Sequence, residues 1–172
     1  MEHFRTERLT ARDWTAADTA AAFAIYGQDE VMRWLGAKPR RAVASLAEMA
    51  ERIELMAERA AARPDYGLWP LELRSAAEVV GAVLLQPLPG SDVVEIGWHL
   101  SPPHWGQGLA TEAGAGAVAL AFGARHLDRV VAVVDPDNVR SLAVCRRLGM
   151  THLGRTSEYF DLTLELFELV RR

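Results

Sequence analysis

Two stretches of this chain bring together residue types that can do chemistry. The first is VVEIGWHLSPPHWGQGLATEA, residues 93–113, in which Glu95 and His99 are followed by a run of small residues. On a strand, Glu95, Gly97 and His99 share one face and Trp98 and Leu100 the other. A carboxylate or a neutral imidazole placed there can take a proton from a nucleophile. A salt-bridged glutamate and a hydrogen-bonded structural histidine are the plainer readings of the same pair.

The run from Gly106 to Ala110 alternates small residues and leads straight into an alanine-rich helical stretch. A strand, a turn and a helix start in that order leave main-chain N–H groups unpaired at the positive end of the helix dipole. A pyrophosphate could lie against such a turn, which can equally serve tight packing. Thr111 stands where a dinucleotide fingerprint needs its third glycine, and no Gly-Lys-Ser/Thr is present, so neither of those phosphate loops applies.

The second stretch is VDPDNVRSLAVCRRLGM, residues 134–150. Asn138 and Ser141 fall on one helical face. Asn138 can cap the helix, or its amide can donate to and accept from an amide-bearing ligand. Cys145 shares a face with Leu142 and Leu148, the pattern of a packed thiol rather than a nucleophile. Arg140, Arg146 and Arg147 can reach a phosphate or complement the helix dipole.

These residues need a scaffold, and the hydrophobic pattern supplies one. A strand is expected from Arg5 to about Trp14, then a helix capped at Thr15 or Asp18 and running to Tyr26. A second helix spans Ser45 to about Ala62, with Leu46, Met49, Ile53 and Met56 inward and Leu55 off that face. LELR and VVGAVLL form a hairpin, and VVEIGWHL is the third strand of that group. A helix from Gly108 to about Phe122, the buried strand RVVAVVD, a helix from about Val139 to Leu148, and strands near Thr151–Ser157 and Asp161–Val170 complete the order. This is a mixed α/β sheet. The GAKPRR loop between the first two helices carries no legible signal.

With 172 residues, the chain suits a single domain, residues 1–172. A formal net charge of −4 argues against a surface built to coat nucleic acid. The lone Cys145 excludes a disulfide framework and a cysteine-based zinc cluster, and no histidine spacing suggests a metal. No apolar run suits a signal peptide or a bilayer span, so a cytoplasmic protein without membrane partners is expected.

Taken together, TERLTARDWTAAD, EVMRWLG, EIGWHLSPPHWGQGLATEA and VDPDNVRSLAVCRRLGM resemble the GNAT superfamily of N-acetyltransferases. Within it they are most similar to the group that acetylates the N-termini of ribosomal proteins. The resemblance implies a mostly antiparallel sheet of about seven strands, splayed between the fourth and fifth and flanked by about four helices. It also implies that acetyl-coenzyme A binds in that splay. Its pyrophosphate would rest on main-chain amides of Trp105, Gly106, Gln107, Gly108, Leu109, Ala110 and Thr111. Main-chain groups of His99 and Leu100 would bond the pantetheine or the acetyl carbonyl, with Asn138 and Ser141 facing the arm or the sulfur end, and any of Arg140, Arg146 and Arg147 could then reach the adenosine 3′-phosphate. Trp105 stands where many relatives have Gln or Arg, and Cys145 where many have a tyrosine acid, which leaves the acid open.

Acetyl transfer to an amine requires a neutral nitrogen, so something must accept a proton. Glu95 leads as general base, directly or through water, with His99 as its competitor and Ser141 or water protonating the departing thiolate. Trp34, Trp98, Tyr159 and Phe160 are candidates to shape the acceptor cleft. The expected reaction is direct attack in a ternary complex by a primary amine, either a protein N-terminus or a small molecule such as an antibiotic or polyamine. A non-catalytic acyl-coenzyme A sensor is the rival of a different class. Monomer and homodimer are both compatible with the sequence.

Overall fold

The computed structural model describes residues 1–171. Its strands are β1 (Glu2–Arg5), β2 (Leu9–Arg12), β3 (Gly67–Leu73), β4 (Glu78–Pro87), β5 (Val94–Leu100), β6 (Arg129–Val134), β7 (Thr151–Thr156) and β8 (Leu164–Val170). They form one sheet in the order β1-β2-β3-β4-β5-β6-β8-β7. Every pairing is antiparallel except β5 with β6.

The strand expected from Arg5 to about Trp14 narrows to β2, and β1, which precedes it, pairs with it as a hairpin and raises the strand count from about seven to eight. Thr6 makes the difference: its main-chain N–H donates to the Leu9 carbonyl at 2.9 Å, and the Leu9 N–H donates back to its hydroxyl at 3.1 Å. That local hydrogen bonding competes with a continuous strand and folds the chain at TERL.

Helices α1 (Thr19–Tyr26), α2 (Asp29–Met32) and α3 (Leu46–Ala62) precede β3, α4 (Leu109–Phe122) links β5 to β6, and α5 (Val139–Arg147) follows β6. The short α2 is the helix beyond the expected four. Ser45 caps α3 by accepting from the Glu48 N–H at 3.1 Å. Met49 and Ile53 of α3 are buried as its spacing predicts, whereas Leu46, expected inward, is 51% exposed on the first turn.

Both faces of the sheet are covered, which is why β4 reads as a continuous apolar run. On one face Val80, Val83, Leu85, Ile96 and Leu100 pack with Leu109, Ala113 and Ala117 of α4. On the other, Val79 and Ala82 pack with Ile25, Met49 and Ile53. The alanines and glycines of α4 let it lie close to the sheet: a Cβ on Gly116 would run into the Phe4 ring of β1. Among the described residues, no helix is long and apolar enough to cross a membrane.

Candidate active site

The sheet opens in its middle. β5 and β6 share a single register pair, Glu95 with Val131, and diverge beyond it. The register with β4 determines which groups this leaves free. The Ser101 N–H donates to the Val80 carbonyl at 2.9 Å, so residues 95, 97 and 99 turn their main chain toward β4. Residues 98 and 100 turn theirs into the opening. This corrects the expectation for His99, whose main chain is used by the β4 ladder, so that only its imidazole can reach a ligand. The Leu100 carbonyl is also engaged, accepting the Trp105 indole N–H at 2.8 Å. The Leu100 N–H and the main chain of Trp98 remain.

At the far end of the opening lies the glycine turn. Gly106 and Gly108 have φ of +74° and +79°, the left-handed region that glycine enters freely. No side chain caps α4. Among the described residues, no main-chain N–H from Gly106 to Thr111 finds an acceptor. The Trp105 N–H does, donating to Pro102 at 3.1 Å, so the cradle begins one residue later than expected. A Cβ on Gly106 would meet nothing within 4 Å, so the space before these amides is open. Bare N–H groups at a helix start are the fit an anionic diphosphate requires.

The underside of the turn is braced. Arg8 donates to the Gln107 carbonyl at 3.0 Å and pairs with Glu112 at 2.6 Å. The Thr6 hydroxyl also donates to Glu112, at 2.6 Å. The carboxylate in the first turn of α4 is thereby neutralised rather than left to repel a phosphate. Arg147 donates to the Thr111 hydroxyl at 3.0 Å, and the Arg140 guanidinium lies 4.4 Å from the centre of the Trp105 ring. Arg146 is exposed and lines neither cavity.

Two cavities meet at the splay. One, of about 660 Å³, runs from the glycine turn past Trp105 and Arg147. The other, of about 550 Å³, contains Glu95 and opens beside Tyr66 and Phe160. Trp34, Trp98, His99, Asn138 and Ser141 line both. Tyr159 is buried in a separate cluster with Leu88 and Val131. Asn138 is the N-cap of α5, its side-chain oxygen accepting the Ser141 N–H at 3.2 Å. Its amide nitrogen and the Ser141 hydroxyl donate to nothing among the described residues, so the capping role leaves both free to meet a ligand.

Glu95 is 8% exposed, and burial raises its pKa to about 8, only partly offset by the Val133 N–H that it accepts. Burial lowers His99 to about 4, so its imidazole is neutral at pH 7 and a weak base. Its Nδ1 lies 3.1 Å from the hydroxyl of Tyr26, whose own pKa burial raises. Cys145 is fully buried with its thiol pushed up to about 12, which keeps it out of covalent chemistry near neutral pH.

Tyr26 and Arg40 escaped the sequence reading. Arg40 reaches back from the GAKPRR loop to pair with Asp135 at the end of β6, at 2.8 Å. It also donates to the carbonyls of Arg33 at 2.8 Å and Gly36 at 3.0 Å, which ties the loop over the Glu95 cavity.

The chain has recognisable relatives among known proteins. Residues 8–151 match the profile of the acetyltransferase (GNAT) domain. The chain is 30% identical over 156 residues to YoaA of Bacillus subtilis, an uncharacterized N-acetyltransferase, covering 90% of this chain and 85% of that one. It shares the fold of a GNAT-family acetyltransferase from Bacillus anthracis with a TM-score of 0.82 at 20% identity, over 99% of this chain and 98% of that one. RimJ of Mycobacterium smegmatis, solved in complex with CoA-disulfide, gives a TM-score of 0.78 at 22% identity, over 94% of this chain and 81% of that one.

Proposed function

We propose, from the premise that this chain belongs to the acetyltransferase (GNAT) domain family, a division of labour among its residues and a class of acceptor. The protein is an acetyl-coenzyme A-dependent N-acetyltransferase. In our reading the amides of Gly106 to Thr111 hold the pyrophosphate, with Arg147 and Arg140 beside it. The Trp98 carbonyl, the Leu100 N–H and the Asn138 side-chain amide orient the pantetheine. The bound cosubstrate supplies a thioester at the place where the two cavities join.

From the other cavity, Glu95 in its ionised form, the minority species below about pH 8, accepts the proton of the attacking amine, so turnover rises with pH up to about 8. The observation that carries this is the burial of its carboxyl in the acceptor cavity, which brings its pKa to about 8. A protein α-amine titrates near ~8, in the same range, whereas an alkylamine near ~10 holds its proton about a hundredfold more tightly. The match favours an N-terminal α-amine over a lysine or polyamine. His99, neutral and bonded to Tyr26, positions rather than ionises. The Trp98 N–H, where the two cavities join, faces the forming oxyanion, and the Ser141 hydroxyl protonates the thiolate. With Cys145 buried and protonated, attack is direct, within a ternary complex.

Thiol release from acetyl-coenzyme A, measured over peptides with different first residues and over polyamines and aminoglycosides, tests this reading. The expected result is turnover of peptides, with Glu95→Gln lowering kcat by about 10²- to 10⁴-fold and leaving acetyl-coenzyme A affinity in place. Preferred turnover of a small-molecule amine, or a Glu95→Gln enzyme of undiminished rate, would overturn it.

A further inference from the structure

The acceptor cavity has an excess of positive charge at its mouth. Met56, Arg59, Ala60 and Arg63 line it, at the i, i+3, i+4, i+7 spacing of one helical face. Neither guanidinium has an ion-pair or side-chain hydrogen-bond partner among the described residues. Arginines around them do: Arg52 pairs with Glu48, Arg125 with Asp65 and Arg40 with Asp135, each at 2.8 Å. The two acids that line the same cavity are engaged deeper in, Asp135 by Arg40 and Glu95 by the Val133 N–H. This cationic mouth belongs to a chain whose formal net charge is −4. Helix polarity accounts for arginines at the C-terminal end of α3. It does not account for both of them facing the cavity.

We infer that Arg59 and Arg63 select an acceptor that carries carboxylates close behind its amine, namely a peptide N-terminus followed by acidic residues. The inference rests on the reading of this cavity as the acceptor site. Its orientation follows from the placement of charge: the amine goes in toward Glu95, and the carboxylates stay at the exposed mouth. The ion pairs form in partly solvated surroundings, where each is worth up to about fivefold in affinity.

The test uses C-terminally amidated peptides Ser-Glu-Glu, Ser-Gln-Gln and Ser-Lys-Lys with a common neutral tail. Binding is followed by calorimetry in the presence of coenzyme A, and thiol release is followed in parallel. The acidic peptide should bind about fivefold to tenfold more tightly than the glutamine peptide at low salt, and the gap should close near 0.5 M salt. Arg59→Gln and Arg63→Gln should each remove about half of that gap on a logarithmic scale. Arg59→Lys and Arg63→Lys should restore most of it, and Arg52→Gln, outside the cavity, should leave it alone. Equal binding of the acidic and glutamine peptides would overturn the inference, even where both are acetylated and the proposed function stands. Tighter binding of the acidic peptide without thiol release would uphold it and overturn the proposed function instead.

Discussion

Replacing Glu95 by glutamine should change the pH dependence of folding stability, a quantity that can be read without knowing the acceptor. The carboxyl ionises near 4.5 in the unfolded chain and near about 8 in the folded one, because burial penalises its charged form. Between those values the folded protein holds a proton that the unfolded chain has released. The stability contributed by this group is therefore whole below about pH 4.5 and is lost as pH rises through about 8. At about 1.4 kcal/mol per tenfold difference in proton affinity, the interval amounts to about 5 kcal/mol as a ceiling. Water in the cleft and the Val133 N–H both favour the carboxylate, and about 2–3 kcal/mol is the expected loss. Glutamine has nearly the same shape and does not titrate. Urea unfolding of both proteins from pH 5 to pH 9 gives the difference directly, and the other titrating groups cancel in it. The glutamine variant should gain steadily on the parent with rising pH, and the gain should level off above about pH 8. Parallel curves across that range would mean that the carboxyl ionises at its ordinary value, and the argument from its match to an α-amine would fall.

Gly106→Ala should cost about 1–2 kcal/mol of stability, the strain of an alanine in the left-handed region, and its methyl should reduce the rise in Tm produced by acetyl-coenzyme A. Asn138→Ala should lose about 1 kcal/mol with its cap, whereas Asn138→Asp keeps the accepting oxygen and the Tm; both should raise KM for acetyl-coenzyme A through loss of the amide donor. Arg40→Ala leaves the half-buried Asp135 carboxylate without its cation and should cost about 2–3 kcal/mol by urea unfolding, with faster proteolysis within residues 33–45.

The helix and strand periods, the small-residue turn and the face shared by Glu95 and His99 were all legible in the sequence, because each is written in local spacing. What escaped it depends on register or on distant pairing. Side-chain alternation says that His99 points with Glu95, but it does not say which neighbouring strand the His99 main chain bonds; that follows only once Ser101 is seen opposite Val80. Tyr26 reads as the last apolar residue of a helix, yet its hydroxyl meets a histidine 73 positions away. Arg40 finds its aspartate 95 positions away, and nothing in GAKPRR announces it. Thr6 was local and readable: a hydroxyl that turns its own backbone was passed over in favour of a longer strand. Leu46 fits the apolar face by period but sits where α3 has not yet reached the sheet, so its position rather than its phase leaves it in solvent.

The single bridge between β5 and β6 creates an edge strand in the interior of a sheet. Outer edges recruit foreign chains, and β7 at the rim answers by pairing the side chains of His152 and Arg155 with Glu165. The inner edge at Trp98 has no such guard, and its location makes one unnecessary: β6 and α5 wall it on the side where another polypeptide would have to dock. The fold thus keeps unused β-pairing capacity without exposing it as a template for fibrillar self-association, and in the proposed complex that capacity meets a slender amide-bearing arm.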